Sequence, residues 1–537
     1  MNTASRFDWS AGYASRRSPL FARNIVSTSH PLAAQAGLRM LQAGGNAVDA
    51  AIATAACMTL VEPCSNGLGS DAFCILWDGQ QLHGLNASGP APAAWSPECF
   101  DGPSMPRRGW GAVTVPGAVG GWTALSERFG KLPFADLIAP AIEIAQRGYA
   151  VPPIVQGKWA MAAALPEITS QPGFAQAFLP HGRAPAVGER FSFPDAARSL
   201  KLIAETRGEA FYRVEIAAAL ARFARDTDGA MTEADLAGYR PEWVTPLAQD
   251  FAGHTLHEIP PNGQGIAAQM ALGLLSHCRL TDHAVDSPEA QHLMIEAMKL
   301  AFADVYRYVA EPVAMAVTPA ELLDPGYLAE RARLIDPARA QVFGAGHPIK
   351  GGTIYLTAAD ERGMMVSFIQ SNYMGFGSGL VLPGYGVSLQ NRGHGFTLEA
   401  GHPNQVAPGK RPFHTIIPGF LTKGGQPVMS FGVMGGNMQP QGHLQTLVRM
   451  LCYGQNPQAA CDAPRWRFNE GLSINIEPHM PAATIEGLRA RGHQIGDIHD
   501  SYQDFGAGQF IWRLGDPASE GYVAASDPRR DGAAVGC

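Results

Sequence analysis

Two places in the chain combine residue types that could carry out acyl chemistry. Thr353 opens a β-prone run directly after a glycine-rich connector, and Gly435-Gly436 separates a strand-like run from a helical one. A hydroxyl is a poor nucleophile until a base takes its proton. A free α-amine, with an ordinary pKa of about 7.7–8.0, is such a base near neutral pH. A threonine at a newly made N-terminus would carry both groups on one residue. The connector, VFGAGHPIKGG at 342–352, holds four glycines and one proline and reads as a flexible, exposed segment that tolerates a chain break. Taken alone, Thr353 reads as a β-branched residue opening a strand, and Gly435-Gly436 as a strand-to-helix turn.

Other chemistries find less support. The string GFGSG at 375–379 lacks the strand before it and the helix after it that a dinucleotide fingerprint requires. The 16 histidines show no HExxH or paired ligand spacing, so no metal and no cofactor is expected. Eight cysteines are scattered without a CxxC pair, as expected for reduced, mostly buried thiols in a cytoplasmic protein.

The elements that must position these residues follow from periodicity. Residues 31–62 carry apolar side chains at helical spacing, broken by Gly44-Gly45-Asn46, which predicts a helical hairpin. DAFCILWDGQQLHGLN, ending at Asn86, predicts a β-hairpin turning at Asp78-Gly79. Residues 130–335 are rich in alanine and leucine at helical spacing, with breaks at Pro152-Pro153 and Pro260-Pro261, and read as mostly helical. From Thr353, TIYLTAADERGMMVSFIQ predicts a second hairpin around Asp360–Gly363; QPVMSFGV at 426–433 then predicts a strand, a glycine turn and a helix.

The 537 residues are 46% hydrophobic and 16% charged, enough for a large packed core, and the formal charge of −7 offers no footprint for nucleic acid or an anionic membrane. AVDAAIATAACMTLV is shorter than a bilayer span and carries Asp49, so it reads as a core helix. The opening residues lack the apolar run of a secretory signal, so a cytoplasmic location is expected.

A set of motifs in fixed order resembles the γ-glutamyltranspeptidase family of N-terminal-nucleophile hydrolases. It comprises LQAGGNAVDAAIA, VEPCSNGLGSDAF, VTVPGAVGGW, EAMKLAFAD, GGTIYLTAADERG, GFGSGLVLPGYG, GKRPFHTIIP, VMGGNMQPQG and DAPRWRF. The resemblance implies a four-layer αββα sandwich and self-cleavage between Gly352 and Thr353. The interlocked products would be a large subunit, 1–352, and a small subunit, 353–537. It makes Thr353 the nucleophile and Gly435 and Gly436 the backbone donors to the oxyanion, and it places Ser371 where the family has a threonine that hydrogen-bonds the nucleophile's amine. Thr415 matches the second of two pocket serines and His414 replaces the first.

The match departs where γ-glutamyl enzymes hold their substrate. Asn86 falls at the position of the arginine that binds the α-carboxylate, and Arg392 and Gly395 fall where acidic residues bind the α-amine. A guanidinium repels an ammonium but can hold a carboxylate in a bidentate pair. The expected substrate is therefore a small amide whose acyl group bears a carboxylate without an adjacent amine, such as oxamate or a glutaryl amide. A genuine γ-glutamyltransferase or glutathione hydrolase is the alternative, and a non-catalytic relative of the same fold a third.

Overall fold

The computed structural model describes residues 7–9, 17–343, 352–499 and 502–537. Most of the connector, residues 344–351, lies outside the described residues. Gly352 and Thr353 lie within them.

Among the described residues, fourteen strands make two antiparallel sheets of seven. In chain order they are β1 (Leu20–Ala22), β2 (Ile25–Thr28), β3 (Asp71–Trp77), β4 (Leu82–Ala87), β5 (Glu242–Val244), β6 (Leu247–Phe251) and β7 (His254–Glu258), followed by β8 (Gly352–Ala359), β9 (Met365–Tyr373), β10 (Gly419–Lys423), β11 (Gln426–Met434), β12 (Ala507–Arg513), β13 (Tyr522–Ser526) and β14 (Ala533–Gly536). One sheet runs β1-β13-β12-β11-β10-β7-β6 and the other β14-β2-β8-β9-β3-β4-β5. Both therefore mix strands from either side of the connector.

Strand β3 shows why the sheets stack. Its seven residues, DAFCILW, are all buried. Phe73, Ile75 and Trp77 face a core between the sheets, shared with Tyr355, Ile369, Phe420, Met434 and Ile511. Ala72, Cys74 and Leu76 point the other way, into a core under helices. A strand buried on both faces reads as a continuous apolar run, not as an alternation.

The outer face of that sheet is covered by α1 (Pro31–Gln42), α2 (Ala47–Val61), α3 (Ala118–Phe129) and α4 (Phe134–Arg147). All fifteen residues of α2 are buried, and Asn46 and Asp49 close its N-terminus as a capping box. The apolar segment is thus a core helix, as its length predicts. Among the described residues no helix is long and apolar enough to cross a membrane. The second sheet is covered by α5 (Ile266–Leu275), α6 (Pro288–Tyr308) and α7 (Met438–Tyr453). The result is the αββα sandwich.

The predicted helical hairpin at 31–62 forms as α1 and α2, the hairpin at 71–86 as β3 and β4, and the hairpin after Thr353 as β8 and β9. Residues 130–335 are mostly helical, as expected. They contain the strands β5, β6 and β7 besides their helices. β5 and β6 are short, half-exposed edge strands that carry too few apolar residues to stand out in an alanine-rich stretch.

Candidate active site

Sheet register brings the residues expected to react to one end of the sandwich. β8 pairs with β9, with Gly352 opposite Tyr373 and an irregularity in register between Gly352 and Ile354 that isolates Thr353. Such irregularities re-aim a side chain at a strand end. β9 pairs in turn with β3, which sets Ser371 directly opposite Asp71. In the facing sheet, β11 ends at Met434 and runs into Gly435-Gly436 and then α7.

The Thr353 side chain is buried, at 1% exposure. Its hydroxyl donates to Ser371 Oγ at 3.2 Å and accepts from Gln439 Nε2 at 3.4 Å. Ser371 Oγ also accepts the Tyr373 N–H at 2.7 Å, which fixes its orientation. Gln439 sits in the first turn of α7, and its Oε1 accepts the Ile417 N–H at 2.9 Å.

Gly435 and Gly436 both adopt positive φ, 129° and 61°. A Cβ on Gly435 would lie 3.0 Å from Gly506 Cα, so both conformation and space call for glycine there. Among the described residues neither N–H donates a hydrogen bond. Gln264 Nε2 bonds the Gly436 carbonyl at 3.0 Å and the Thr415 carbonyl at 2.6 Å, tying the glycine turn to the pocket wall.

A cavity of about 100 Å³ opens beside these groups, walled by Tyr306, Tyr373, Phe413, Thr415, Asn437 and Gly395 among others. Asn437, the residue after Gly436, donates its side-chain amide to the Tyr306 phenol. Arg392 stands behind this wall at 1% exposure. Its Nη1 donates to Thr415 Oγ1 at 2.9 Å, and its guanidinium carbon lies 4.7 Å from the centre of the Tyr373 ring. The remaining two nitrogens, Nε and Nη2, have no hydrogen-bond partner among the described residues. These two N–H groups share one edge of the guanidinium and form its side-on fork for a carboxylate.

Behind Arg392 lies a group to which sequence reading assigned no role. Asp71 is fully buried, yet its carboxyl accepts from Gly117 N–H at 3.0 Å and from His414 Nε2 at 3.1 Å. Burial pushes the Asp71 carboxyl up to about 7, against the downward pull of Arg392. Burial likewise holds Arg392 down to about 10, with Asp71 opposing. His414 is held well below its ordinary value, by burial first and then by Arg392 and Arg411. It is therefore neutral, with Nδ1 accepting from Ile416 N–H at 3.4 Å and Nε2–H facing Asp71.

The structure thus gathers Thr353, Ser371, Gly435, Gly436, Thr415 and Arg392, with His414 one layer behind. Asn86 stands apart. Its Nδ2 donates to Asn262 Oδ1 at 2.9 Å, and its Oδ1 accepts from Ser88 N–H at 3.0 Å and Ser88 Oγ at 2.7 Å, so its amide is spent within the wall. Sequence reading missed Asp71, Tyr306, Tyr373, Gln264, Gln439 and Asn437. For Asp71 a signal existed: an acidic residue heads a strand that is otherwise wholly apolar.

His292 and Glu296, one turn apart on α6, converge with the sequence-distant His493 in a buried group whose ligand atoms lie within 4.8 Å of one another. Lys299 Nζ lies 2.6 Å from Glu296 and His493 Nε2 2.8 Å from His292 Nδ1, so an ammonium already occupies the carboxylate, while His493 Nδ1 has no partner among the described residues.

Two sheets of seven strands between helical layers, with a threonine hydroxyl at a strand end facing a glycine turn, define the N-terminal-nucleophile hydrolase fold. Residues 33–537 match the Gamma-glutamyltranspeptidase family, and the chain belongs to that family. It is 34% identical to the glutathione hydrolase-like YwrD proenzyme of Bacillus subtilis, over 97% of this chain and 99% of that protein. It is 35% identical to the oxamate amidohydrolase proenzyme of Klebsiella pneumoniae, over 94% and 97%. Among solved structures it resembles the cephalosporin acylase of Bacillus halodurans, with 46% identity, 99% coverage of both chains and a TM-score of 0.93. These relatives support an amide hydrolase of this family.

Proposed function

We propose that the protein is made as a precursor that cleaves itself between Gly352 and Thr353 and then hydrolyses a small amide whose acyl group carries a carboxylate. In the precursor the Thr353 hydroxyl attacks the Gly352 carbonyl, the peptide nitrogen leaves as the Thr353 amine, and water hydrolyses the resulting ester. The products are a large subunit, residues 1–352, and a small subunit, 353–537.

In the mature enzyme the freed α-amine takes the proton of the Thr353 hydroxyl, which attacks the substrate carbonyl. Gly435 and Gly436 donate their N–H groups to the oxyanion. The leaving amine departs with a proton, and water releases the acid from the threonyl ester. Ser371 holds the nucleophile's oxygen in line.

The observation that carries the substrate assignment is the unpaired edge of Arg392. A buried guanidinium with two unengaged N–H groups on one side costs several kcal/mol unless something completes it. A substrate carboxylate supplies two oxygens at the matching spacing. Oxamate and glutaryl amides both carry such a group, and the small cavity favours the shorter acyl chain. The names of two relatives, an oxamate amidohydrolase and a cephalosporin acylase, support the same class. Rates on oxamate, a glutaryl amide and a γ-glutamyl anilide test the assignment. Turnover of oxamate or the glutaryl amide is expected, and turnover of the γ-glutamyl compound alone would overturn it.

A further inference from the structure

The pocket behind Thr415 contains a charge balance that the reaction itself does not explain. Arg392 is positive and fully enclosed, and Asp71 is the carboxylate whose field acts on it most strongly. Asp71 does not occupy the Arg392 fork. Its oxygens are held instead by Gly117 N–H, at the start of α3, and by His414 Nε2–H, on the loop before β10. The Tyr212 and Tyr239 phenols also feel its charge, and burial raises the ionisation of both well above the ordinary range, so they stay neutral. Without ligand, and above about pH 7, the enclosure therefore holds one cation and one anion.

A substrate carboxylate on the fork would bring a second anion into the same space. Two anions and one cation in a region closed to water leave one charge uncompensated, which burial penalises heavily. The enclosure must either reject the ligand or neutralise a group. His414 is a poor place for the added proton. Its Nδ1 already faces the Ile416 N–H, and a proton there would set donor against donor. Asp71 is the remaining group.

Resting on the carboxylate reading above, we propose that Asp71 is the built-in counter-charge of Arg392 and that a substrate carboxylate displaces that charge as a proton, so ligand binding takes up one proton from solvent at Asp71. Asp71 is then a specificity-determining residue that touches neither the substrate nor the nucleophile. Its ionised form resists anionic ligands and its neutral form admits them. Burial has already brought its ionisation to about 7, so the exchange falls within the working pH range. The sign follows from linkage. Asp71 binds its proton more tightly in the complex than in the free protein. Affinity for a carboxylate is therefore fully present below about pH 7 and weakens as pH rises, by up to about tenfold per unit.

The test is calorimetric titration of the processed protein with oxalate and with glutarate, in two buffers of different ionisation enthalpy, between pH 6 and 9. Wild type is expected to take up close to one proton per ligand near pH 8. D71N is expected to bind at least about tenfold more tightly at that pH and to lose that uptake and its share of the pH slope. The α-amine of Thr353 titrates in both proteins, so the difference between them isolates Asp71. Infrared difference spectra of wild type give a second readout that needs no variant: a protonated-carboxyl band appearing on ligand binding, which an amine cannot produce. Binding with equal proton uptake in wild type and D71N, or no carboxyl band, overturns the role of Asp71 while leaving Arg392 as the anchor. Failure of both dicarboxylates to bind, or equal binding to R392M, overturns the carboxylate reading and the Asp71 proposal with it.

Discussion

The two halves of the proposed active site pose opposite electrostatic problems. On the reacting side stand a hydroxyl, a second hydroxyl, an amide and two backbone N–H groups, all neutral and all fixed by strand ends and the first turn of a helix. On the recognition side, less than one strand pair away, stand a buried guanidinium and a buried carboxylate with a neutral histidine bonded to the latter. Neutral dipoles can be organised in advance at small cost and act on charge only as it develops. Buried charges must be balanced at every stage, so a site that uses them links binding to protonation. On the proposed function, rate and selectivity rest on separate groups, which separate substitutions should reveal.

The largest effect is expected from Thr353→Ala. It should leave a single chain of 57.0 kDa on a denaturing gel and abolish turnover. A cleaved product from this variant would remove Thr353 from the reacting side. Next comes Gly435→Ala, which places a side chain at φ 129° and 3.0 Å from Gly506 Cα. Displacing one oxyanion donor lowers kcat by about 10²-fold or more, and KM should change little. A variant that loses affinity and keeps kcat would blur the division between the two halves.

Arg392→Met should act in the reverse way. Loss of a buried charge-assisted pair costs at least about 2 kcal/mol, or about 30-fold in KM for a carboxylate-bearing amide. A neutral amide of equal size should lose no rate, and the comparison of the two substrates is the measurement. The smallest effect is expected from Ser371→Ala, which removes one hydrogen bond to Thr353 Oγ1. A neutral bond of about 1 kcal/mol corresponds to about fivefold in kcat. A far larger loss, measured by steady-state rates on processed protein, would make Ser371 a participant in proton transfer and not merely an orienting group.

Much of what underlies this proposed division is legible in the sequence. Thr353 after a glycine-rich connector and Gly435-Gly436 between a strand and a helix are local patterns, set by neighbours in the chain. The paired hairpins and the buried helix α2 were equally local, since periodicity and turn residues specify them. Asp71, Tyr306 and Gln264 were not visible in this way. Each owes its place to a partner more than 100 residues distant: His414, Asn437 and Thr415.

The sequence by itself determined the family and much of the order of elements, because these reside in short motifs and in periodicity, and through the family resemblance it singled out Thr353 as the proposed nucleophile. The same resemblance aligned a cation, Arg392, with the position of an acidic residue in γ-glutamyl enzymes. Tertiary structure alone decided what that cation faces. Strand register set Asp71 opposite Ser371, loop packing brought His414 to Asp71, and Thr415 took one arm of Arg392 while leaving its fork unpaired. Coulombic balance in a buried pocket depends on distances through space, and a linear pattern of residue types does not contain them.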